Sequence, residues 1–397
     1  MDRWQELEAK YFMTTGKRQP ITLVRGEGVR VWDVEGKEYL DFVGGWAVTG
    51  LGHCHPAIVK ALEEQGRTLW QTSNQYYTVP QVELAELLVQ NSCMDQVFFQ
   101  NSGTEANEAA IKLARKYGKV HLNGAYEMIT ALESFHGRTF TMVAATGQPH
   151  YQESYTPLTP GFSYVPFNDI EAVMSATNEN TCAIMIEPIQ GEGGVNVPSK
   201  EYLRQLREWC DQRDMLLIFD EVQTGLGRTG ELFGYQYFGV EPDVMTLAKA
   251  LGGGIPIGAI MAKEKASVFT PGDHGSTFSG NPLATAVALA NVRYILQNDV
   301  LGHVRKVSAH LTAKLEGLKT KFGFVKEVRG VGLLLAVGFD GEISGKVLAE
   351  CNSRGLLLNA VRPNAIRLMP PLILTEADVD EGVGILESAL EAVGKEL

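Results

Sequence analysis

The sequence predicts an α/β protein in two parts: a large domain on a mainly parallel sheet, and a smaller α+β domain formed by the C-terminal part and the N-terminal segment. Three observations lead there. Through the middle of the chain, short apolar runs alternate with amphipathic helical segments. Successive strands then need crossover connections, and both faces of the sheet are covered. After about residue 285 the pattern changes to long helical stretches around a strand-like block. The first 45 or so residues carry strand-forming segments of their own. The expected division is residues 1–50 packing with the small domain, 51–290 as the large domain and 291–397 as the small domain.

The elements follow in order. ITLVRGEGVRVWDVEGKEYLDF reads as a strand pair turning at Glu27-Gly28 and Glu35-Gly36. Gln96 to Asn101 reads as a buried strand, followed by a helix with Ala106, Ala110, Leu113 and Ala114 on one face and Gly118 as its stop. Thr139 to Thr146, Cys182 to Glu187 and Leu216 to Val222 are further strand candidates. Between the last two, Tyr202, Leu206 and Trp209 mark an amphipathic helix. The C-terminal part holds two long helical stretches, the strand-like VKEVRGVGLLLAVGF, a further helical stretch and a closing helix from about Glu376.

Composition narrows the function. The chain has 397 residues, 45% hydrophobic and 21% charged, enough to bury a sizeable core. A net charge of −12 argues against nucleic acid or an anionic membrane as partner, because both require clustered Lys and Arg. Five scattered cysteines without a C-x-x-C pair fit a reducing compartment and argue against a disulfide framework or zinc site. The charged start MDRWQELEAKYF lacks the apolar core of a signal peptide, and no apolar run approaches the roughly 20 residues of a membrane helix. The expected location is cytoplasmic.

Four segments carry chemistry. Leu216 to Gly230 is an apolar strand ending in Asp220 and Glu221. In open α/β sheets ligands sit outside the carboxyl ends of strands, so an acid there faces a ligand. The same segment contains G-x-G-x-x-G, but DEVQT separates the glycines from the strand and no good helix follows, which excludes a dinucleotide fingerprint. Lys249 precedes three consecutive glycines, Gly252 to Gly254. Alone it reads as an exposed loop lysine. Its place 29 positions after Asp220 lets a strand–loop–strand excursion bring it back to the same pocket. There an amine can hold a carbonyl cofactor, and an aspartate can keep a pyridine nitrogen protonated.

Asn101-Ser102-Gly103-Thr104 lies between a strand and a helix, where free N–H groups and the helix dipole favour a phosphate, though a plain N-cap reads the same way. In SFHGRT, Phe135 can stack on a planar ring and Arg138 can hold a carboxylate through two hydrogen bonds. His136 suits acid–base work or a supporting polar role equally. His53 and His55 have no evident third ligand, so no metal is expected.

Taken together, these segments resemble the class III (ornithine-type) pyridoxal-phosphate-dependent aminotransferases of fold type I. Matching stretches run from about Arg25 to Leu374 and include LGHCHPAI, FFQNSGTEANEAAIKLARKYG, EPIQGEGG, PDVMTLAKALGGGIPIGA and GDHGSTFSGNPLA. The resemblance implies pyridoxal 5′-phosphate as cofactor, held as a Schiff base on Lys249, which also shuttles the proton. Asp220 would pair with the pyridine N–H and Gln223 with the ring hydroxyl. Glu221 and Val222 belong to the same cofactor-facing stretch. Ser102, Gly103 and Thr104 would hold the phosphate, and Phe135 would stack on the ring. Thr277 would reach the phosphate of a neighbouring subunit, which implies a homodimer with shared active sites.

Within the family, VPFND, EPIQGEGG, FTPGDHGSTF and IRLMPPL are phrased as in the branch acting on N-acetylornithine. That implies amino transfer from N-acetylornithine to 2-oxoglutarate, a step of arginine biosynthesis. Arg138, with Ser276 nearby, would bind the donor's α-carboxylate. Glu192 and Arg367 would form a switch in which the glutamate masks the arginine for one substrate and releases it for the other. Other expectations on the same chemistry are ornithine, succinylornithine, 4-aminobutyrate, a diamine or a carrier-linked lysine as donor, or a mutase or epimerase. A non-catalytic binding protein would not need to keep Lys249, Asp220, Gln223 and Arg138 together. Ala250 and the pair Gly45-Trp46 depart from the family's phrasing, and Trp46 at the substrate entrance would alter donor preference.

Overall fold

The computed structural model describes residues 2–397. At its centre is a seven-stranded sheet in the order Gln96–Gln100, Gly258–Ala262, Val244–Leu247, Leu216–Asp220, Thr181–Ile186, Glu127–Ala131, Phe162–Val165. Only Gly258–Ala262 runs against its neighbours; the other six strands are parallel. Every residue of Thr181–Ile186 and Leu216–Asp220 is buried. Continuous apolar runs of that kind belong to strands covered on both faces. The helices Gly103–His121 and Lys200–Gln212 lie among the covering elements.

The strands Leu23–Glu27, Arg30–Asp33 and Glu38–Asp41 form an antiparallel meander. Leu356–Leu357 joins it in parallel beside Glu38–Asp41, so the two ends of the chain share one sheet. A third sheet, antiparallel, has the order Val325–Val331, Leu334–Phe339, Ala365–Leu368, Asn359–Arg362. The helices Val300–Lys321 and Glu376–Gly394 pack on each other, the first also on Val325–Val331. Seam contacts join this part to the large sheet. Leu333 donates its N–H to the carbonyl of Arg228 at 2.9 Å, and Arg228 Nη1 returns a bond to the Leu333 carbonyl at 3.1 Å.

Two local expectations are corrected. Thr139 to Thr146 is not a strand: Phe140–Ala145 is a short helix with Thr139 as N-cap. A brief apolar run fits a buried helix turn as well as a strand, and periodicity cannot separate them at that length. Gly118 does not stop its helix, which continues to His121. A Cβ at Gly118 would lie 1.9 Å from the Ala125 carbonyl oxygen and 2.8 Å from Cys182 Cβ. The glycine therefore marks a close approach of chain segments, not a terminus.

Candidate active site

The parallel strands deliver their carboxyl ends to one crevice. Ser102 follows Gln96–Gln100, Phe135 to Arg138 follow Glu127–Ala131, Glu187 follows Thr181–Ile186, Asp220 ends its strand, and Lys249 follows Val244–Leu247. They line a cavity of about 450 Å³ together with Val48, Thr104, Asn107, Val222, Gln223 and the segment Gly254 to Ile257. Lys249 and Asp220, far apart in sequence, thus face one space.

Asp220 is 3% exposed and held from three sides. Its Oδ2 accepts from Asn107 Nδ2 at 2.7 Å and pairs with His136 Nδ1 at 2.8 Å. Its Oδ1 accepts the Val222 N–H at 3.0 Å and keeps a lone pair for a donor in the cavity. Asn107 is fixed in turn: it donates to the His136 carbonyl at 2.7 Å and accepts from Thr246 Oγ1 at 2.6 Å. His136 is buried, and its Nε2 has no partner among the described residues. With Nδ1 donating to the carboxylate, His136 supports Asp220 and is not aimed as an acid or base.

Lys249 sits in left-handed backbone, φ 44°, immediately after its strand. Strain of that kind persists where the surroundings fix the residue, and it recurs at functional positions. Burial in the cavity lowers the amine to about 8; Glu192 opposes this and Arg367 adds to it. The residue retains some surface because it opens on the cavity. Glu187 accepts the Phe135 N–H at 3.1 Å, and burial followed by the nearby Asp220 pushes it well above the usual carboxylate range.

Ser102 caps the helix Gly103–His121, its Oγ accepting the Glu105 N–H at 3.2 Å, while Glu105 reaches back to the Asn101 N–H at 2.8 Å. A Cβ at Gly103 would stand 3.0 Å from Val222 Cγ1, so the glycine lets the helix start close to the Asp220 strand end. At Gly137, φ 141°, a Cβ would lie 2.2 Å from Thr104 Oγ1, which brings the Phe135 to Arg138 segment against the same terminus. The Arg138 guanidinium is exposed and lies 3.8 Å from the Tyr151 ring centroid and 5.4 Å from that of Phe135.

At the seam, Arg367 is fully buried. Its Nη1 donates to Glu192 Oε1 at 2.9 Å and to Gln223 Oε1 at 3.3 Å, and Nη2 donates to Asn359 Oδ1 at 2.9 Å. Gln223 Nε2 donates to the same Glu192 oxygen at 2.9 Å. Burial raises the Glu192 carboxyl, but Arg367, Lys249 and Gln223 outweigh it and hold the group below its ordinary value.

Four expected residues lie elsewhere. Glu221 turns away from the cavity: its carboxylate accepts the N–H groups of Gly234 and Tyr235 and the Thr224 hydroxyl, and burial raises it to about 7. It anchors a short helix start and does not face a cofactor. Ser276 and Thr277 do not line the cavity; Ser276 Oγ accepts from Asn101 Nδ2 at 2.9 Å, and Thr277 is exposed. Trp46 is 59% exposed within Gly44–Ala47, four consecutive residues at positive φ, and Val48 takes the lining position. His53 pairs with Asp41 at 2.8 Å, and His55 caps a helix. Asn107 and Glu187 also face the cavity and carry only weak sequence signals. Their signals were a polar residue on an apolar helix face and an acid ending an apolar run.

A buried lysine whose amine is brought down toward neutral pH, opposite a braced carboxylate and beside a glycine-opened helix N-terminus, defines an enzyme class that holds a phosphate-bearing carbonyl cofactor by its amine. The chain belongs to the class III aminotransferase family, whose model matches residues 12–390. It is 52% identical to the acetylornithine aminotransferase of Caldanaerobacter subterraneus subsp. tengcongensis over 97% of this chain and 98% of that one. It resembles the solved acetylornithine aminotransferase of Elizabethkingia anophelis at a TM-score of 0.87 and 37% identity, covering 98% of each chain. The TM-score is 0.94, at 33% identity over 99% of this chain and 95% of the other, with an ornithine aminotransferase of Toxoplasma gondii described with pyridoxal phosphate at its active site. Class III aminotransferases depend on that cofactor, and the cavity fits it: Gly103 and Gly137 leave room at the helix terminus, and Asp220 keeps an acceptor free.

Proposed function

We propose that the protein transfers an amino group from N-acetylornithine to 2-oxoglutarate, releasing N-acetylglutamate 5-semialdehyde and glutamate in arginine biosynthesis. The observation that carries this reading is the contact of Arg367 with Glu192 beside the Lys249 cavity. The carbon bearing the reacting amine carries no carboxylate in N-acetylornithine but carries one in glutamate. One pocket must therefore offer a neutral surface and a guanidinium in turn. A buried arginine left unpaired between the two would be costly, and Glu192 offsets that cost. The names of the relatives at about half identity support the same donor.

When bound, pyridoxal phosphate would supply the carbonyl that exchanges amines and a ring that takes up electron density from the substrate carbon bearing the reacting amine. Lys249 would hold it covalently and, once displaced, would move the proton on the carbon that bears the reacting amine; an amine lowered to about 8 alternates between base and acid near neutral pH. Asp220, oriented by Asn107, His136 and Val222, would keep the ring nitrogen charged. Ser102, Gly103 and Thr104 would hold the phosphate, Phe135 and Val222 would line the ring's place, and Gln223 would meet the ring hydroxyl. Arg138 takes the carboxylate at the far end of the donor. Arg367 takes glutamate's α-carboxylate once Glu192 has moved aside.

The working unit on this reading is a homodimer in the cytoplasm, with no nucleic-acid or membrane partner. Thr277 is exposed and outside its own cavity, which suits a role at the phosphate of a second copy. Trp70, Tyr76, Tyr77, Val82 and Phe278 are large apolar side chains left exposed, of the kind a partner covers. No helix among the described residues is long and apolar enough to cross a membrane. The test is a set of single half-reactions with N-acetylornithine, ornithine, 4-aminobutyrate and putrescine, followed at the cofactor's visible band. N-acetylornithine is expected to react with the highest kcat/KM, and 2-oxoglutarate to restore the band. A faster reaction with another amine would overturn the donor assignment.

A further inference from the structure

Glu192 stands on a small closed loop. At its base Gln190 and Asn196 exchange two backbone hydrogen bonds, each 3.1 Å, and Gln190 Nε2 ties the base to the Leu132 carbonyl at 2.8 Å. At its tip, two arginines of the C-terminal sheet grip the backbone. Arg362 Nε donates to the Gly193 carbonyl at 3.1 Å, and Arg329 Nε to the Gly194 carbonyl at 2.8 Å. Arg362 also pairs with Glu133, two residues before Phe135. The strand that carries Arg362 pairs with the strand that carries Arg367, and Asn359, on the Arg362 strand, accepts from Arg367 Nη2. One two-stranded element therefore supplies the guanidinium that Glu192 masks and the guanidinium that holds the loop of Glu192.

The tip has little room to shift. A Cβ at Gly191 would lie 2.0 Å from Gln223 Oε1, and one at Gly193 2.7 Å from the Glu133 carbonyl oxygen. Gly194, φ 115°, is packed against the Arg329 and Arg362 side chains. The Glu192 side chain, by contrast, is part-exposed, and its ties are two side-chain hydrogen bonds, from Arg367 and Gln223, that a rotation of the side chain alone can break.

We propose that Arg362, seconded by Arg329, is a positioning residue for substrate selection. It holds the backbone of residues 191–194 still, so that Glu192 leaves and regains Arg367 by side-chain rotation alone. This rests on the switch reading given above. Loosening the loop disfavours the masked state that the neutral end of N-acetylornithine needs and leaves the unmasked state that glutamate uses.

The experiment measures kcat/KM of the holoenzyme for the N-acetylornithine and glutamate half-reactions in Arg362→Met and Arg362→Lys, with Glu192→Gln as reference. Loss of one charged hydrogen bond is worth roughly a tenfold effect, so Arg362→Met is expected to lower the N-acetylornithine to glutamate ratio by about tenfold. Arg362→Lys keeps a cation for Glu133 but loses the Nε donor, and should shift the ratio in the same direction; it decides the matter if the methionine variant does not fold. An equal fall in both half-reactions, or none, with the ratio still moved by Glu192→Gln, would overturn the role of Arg362 alone. A ratio unmoved by Glu192→Gln would overturn the switch reading and this inference with it.

Discussion

Cofactor capture by the cofactor-free protein should follow the titration of Lys249. Only the neutral amine attacks a carbonyl, and burial brings this lysine from 10.5 to about 8. At pH 7 about one amine in ten is then neutral, against about one in 3,000 for an unperturbed lysine, a gain of about 300-fold. The perturbation is pH, and the assay is stopped-flow absorbance on mixing apoprotein with pyridoxal phosphate. The rate should climb about tenfold per pH unit below 8 and flatten above it. Stability has a matching sign. Between about 8 and 10.5 the unfolded chain holds a proton that the folded one lacks, so the apoprotein gains stability as pH rises through that window, by something on the order of 3 kcal/mol from this group. Lys249→Met should remove that component. A capture rate still climbing tenfold per unit beyond pH 9.5 would refute the reasoning, because it would mean an ordinary, solvated lysine.

Other outcomes follow from the same geometry. Asp220→Asn keeps the shape but not the charge, and turnover should fall by at least about 100-fold with circular dichroism unchanged; near-normal turnover would remove Asp220 from the chemistry. Arg367→Ala should cut kcat/KM of the glutamate half-reaction by roughly 100-fold or more while the N-acetylornithine half-reaction changes far less; an unchanged glutamate half-reaction would contradict the switch. Gly118→Ala would add about 1 kcal/mol to an open helix but here drives a methyl into the Ala125 carbonyl, so it should destabilise by about 1–3 kcal/mol in thermal denaturation. A raised Tm would show that the helix end relaxes freely.

Much of the fold is legible because buried parallel strands are apolar throughout, and Cys182 to Glu187 and Leu216 to Val222 announce themselves that way. Thr139 to Thr146 has the same look over eight residues and is a helix; length and composition leave the two forms equal, and tertiary packing decides. Glycine shows the same limit. Gly118 reads as a stop because glycine usually marks a helix end, whereas close packing against the Ala125 carbonyl and Cys182 requires it here.

In the site, Lys249 and Asp220 stand out as an amine and an acid at strand ends, but their shared cavity is a fact of topology. Glu221 has the same sequence context as Asp220 and faces the other way, since successive residues at a strand end project to opposite sides. Asn107 and Glu187 were hidden because a single polar residue in an apolar pattern reads as a blemish until its partners are known. The contact between Glu192 and Arg367, on separate parts of the fold, is legible only through the family resemblance of EPIQGEGG and IRLMPPL, because neither segment alone says where the other lies.

The most direct test of the account is to locate the covalent anchor. Borohydride treatment of the protein loaded with pyridoxal phosphate makes a lysine–cofactor link permanent, and mass spectrometry of the digest then finds the tagged peptide. The account predicts one tagged residue, Lys249, and no tag after Lys249→Ala. A tag on another lysine, or an untagged chain that still turns over N-acetylornithine, would contradict it.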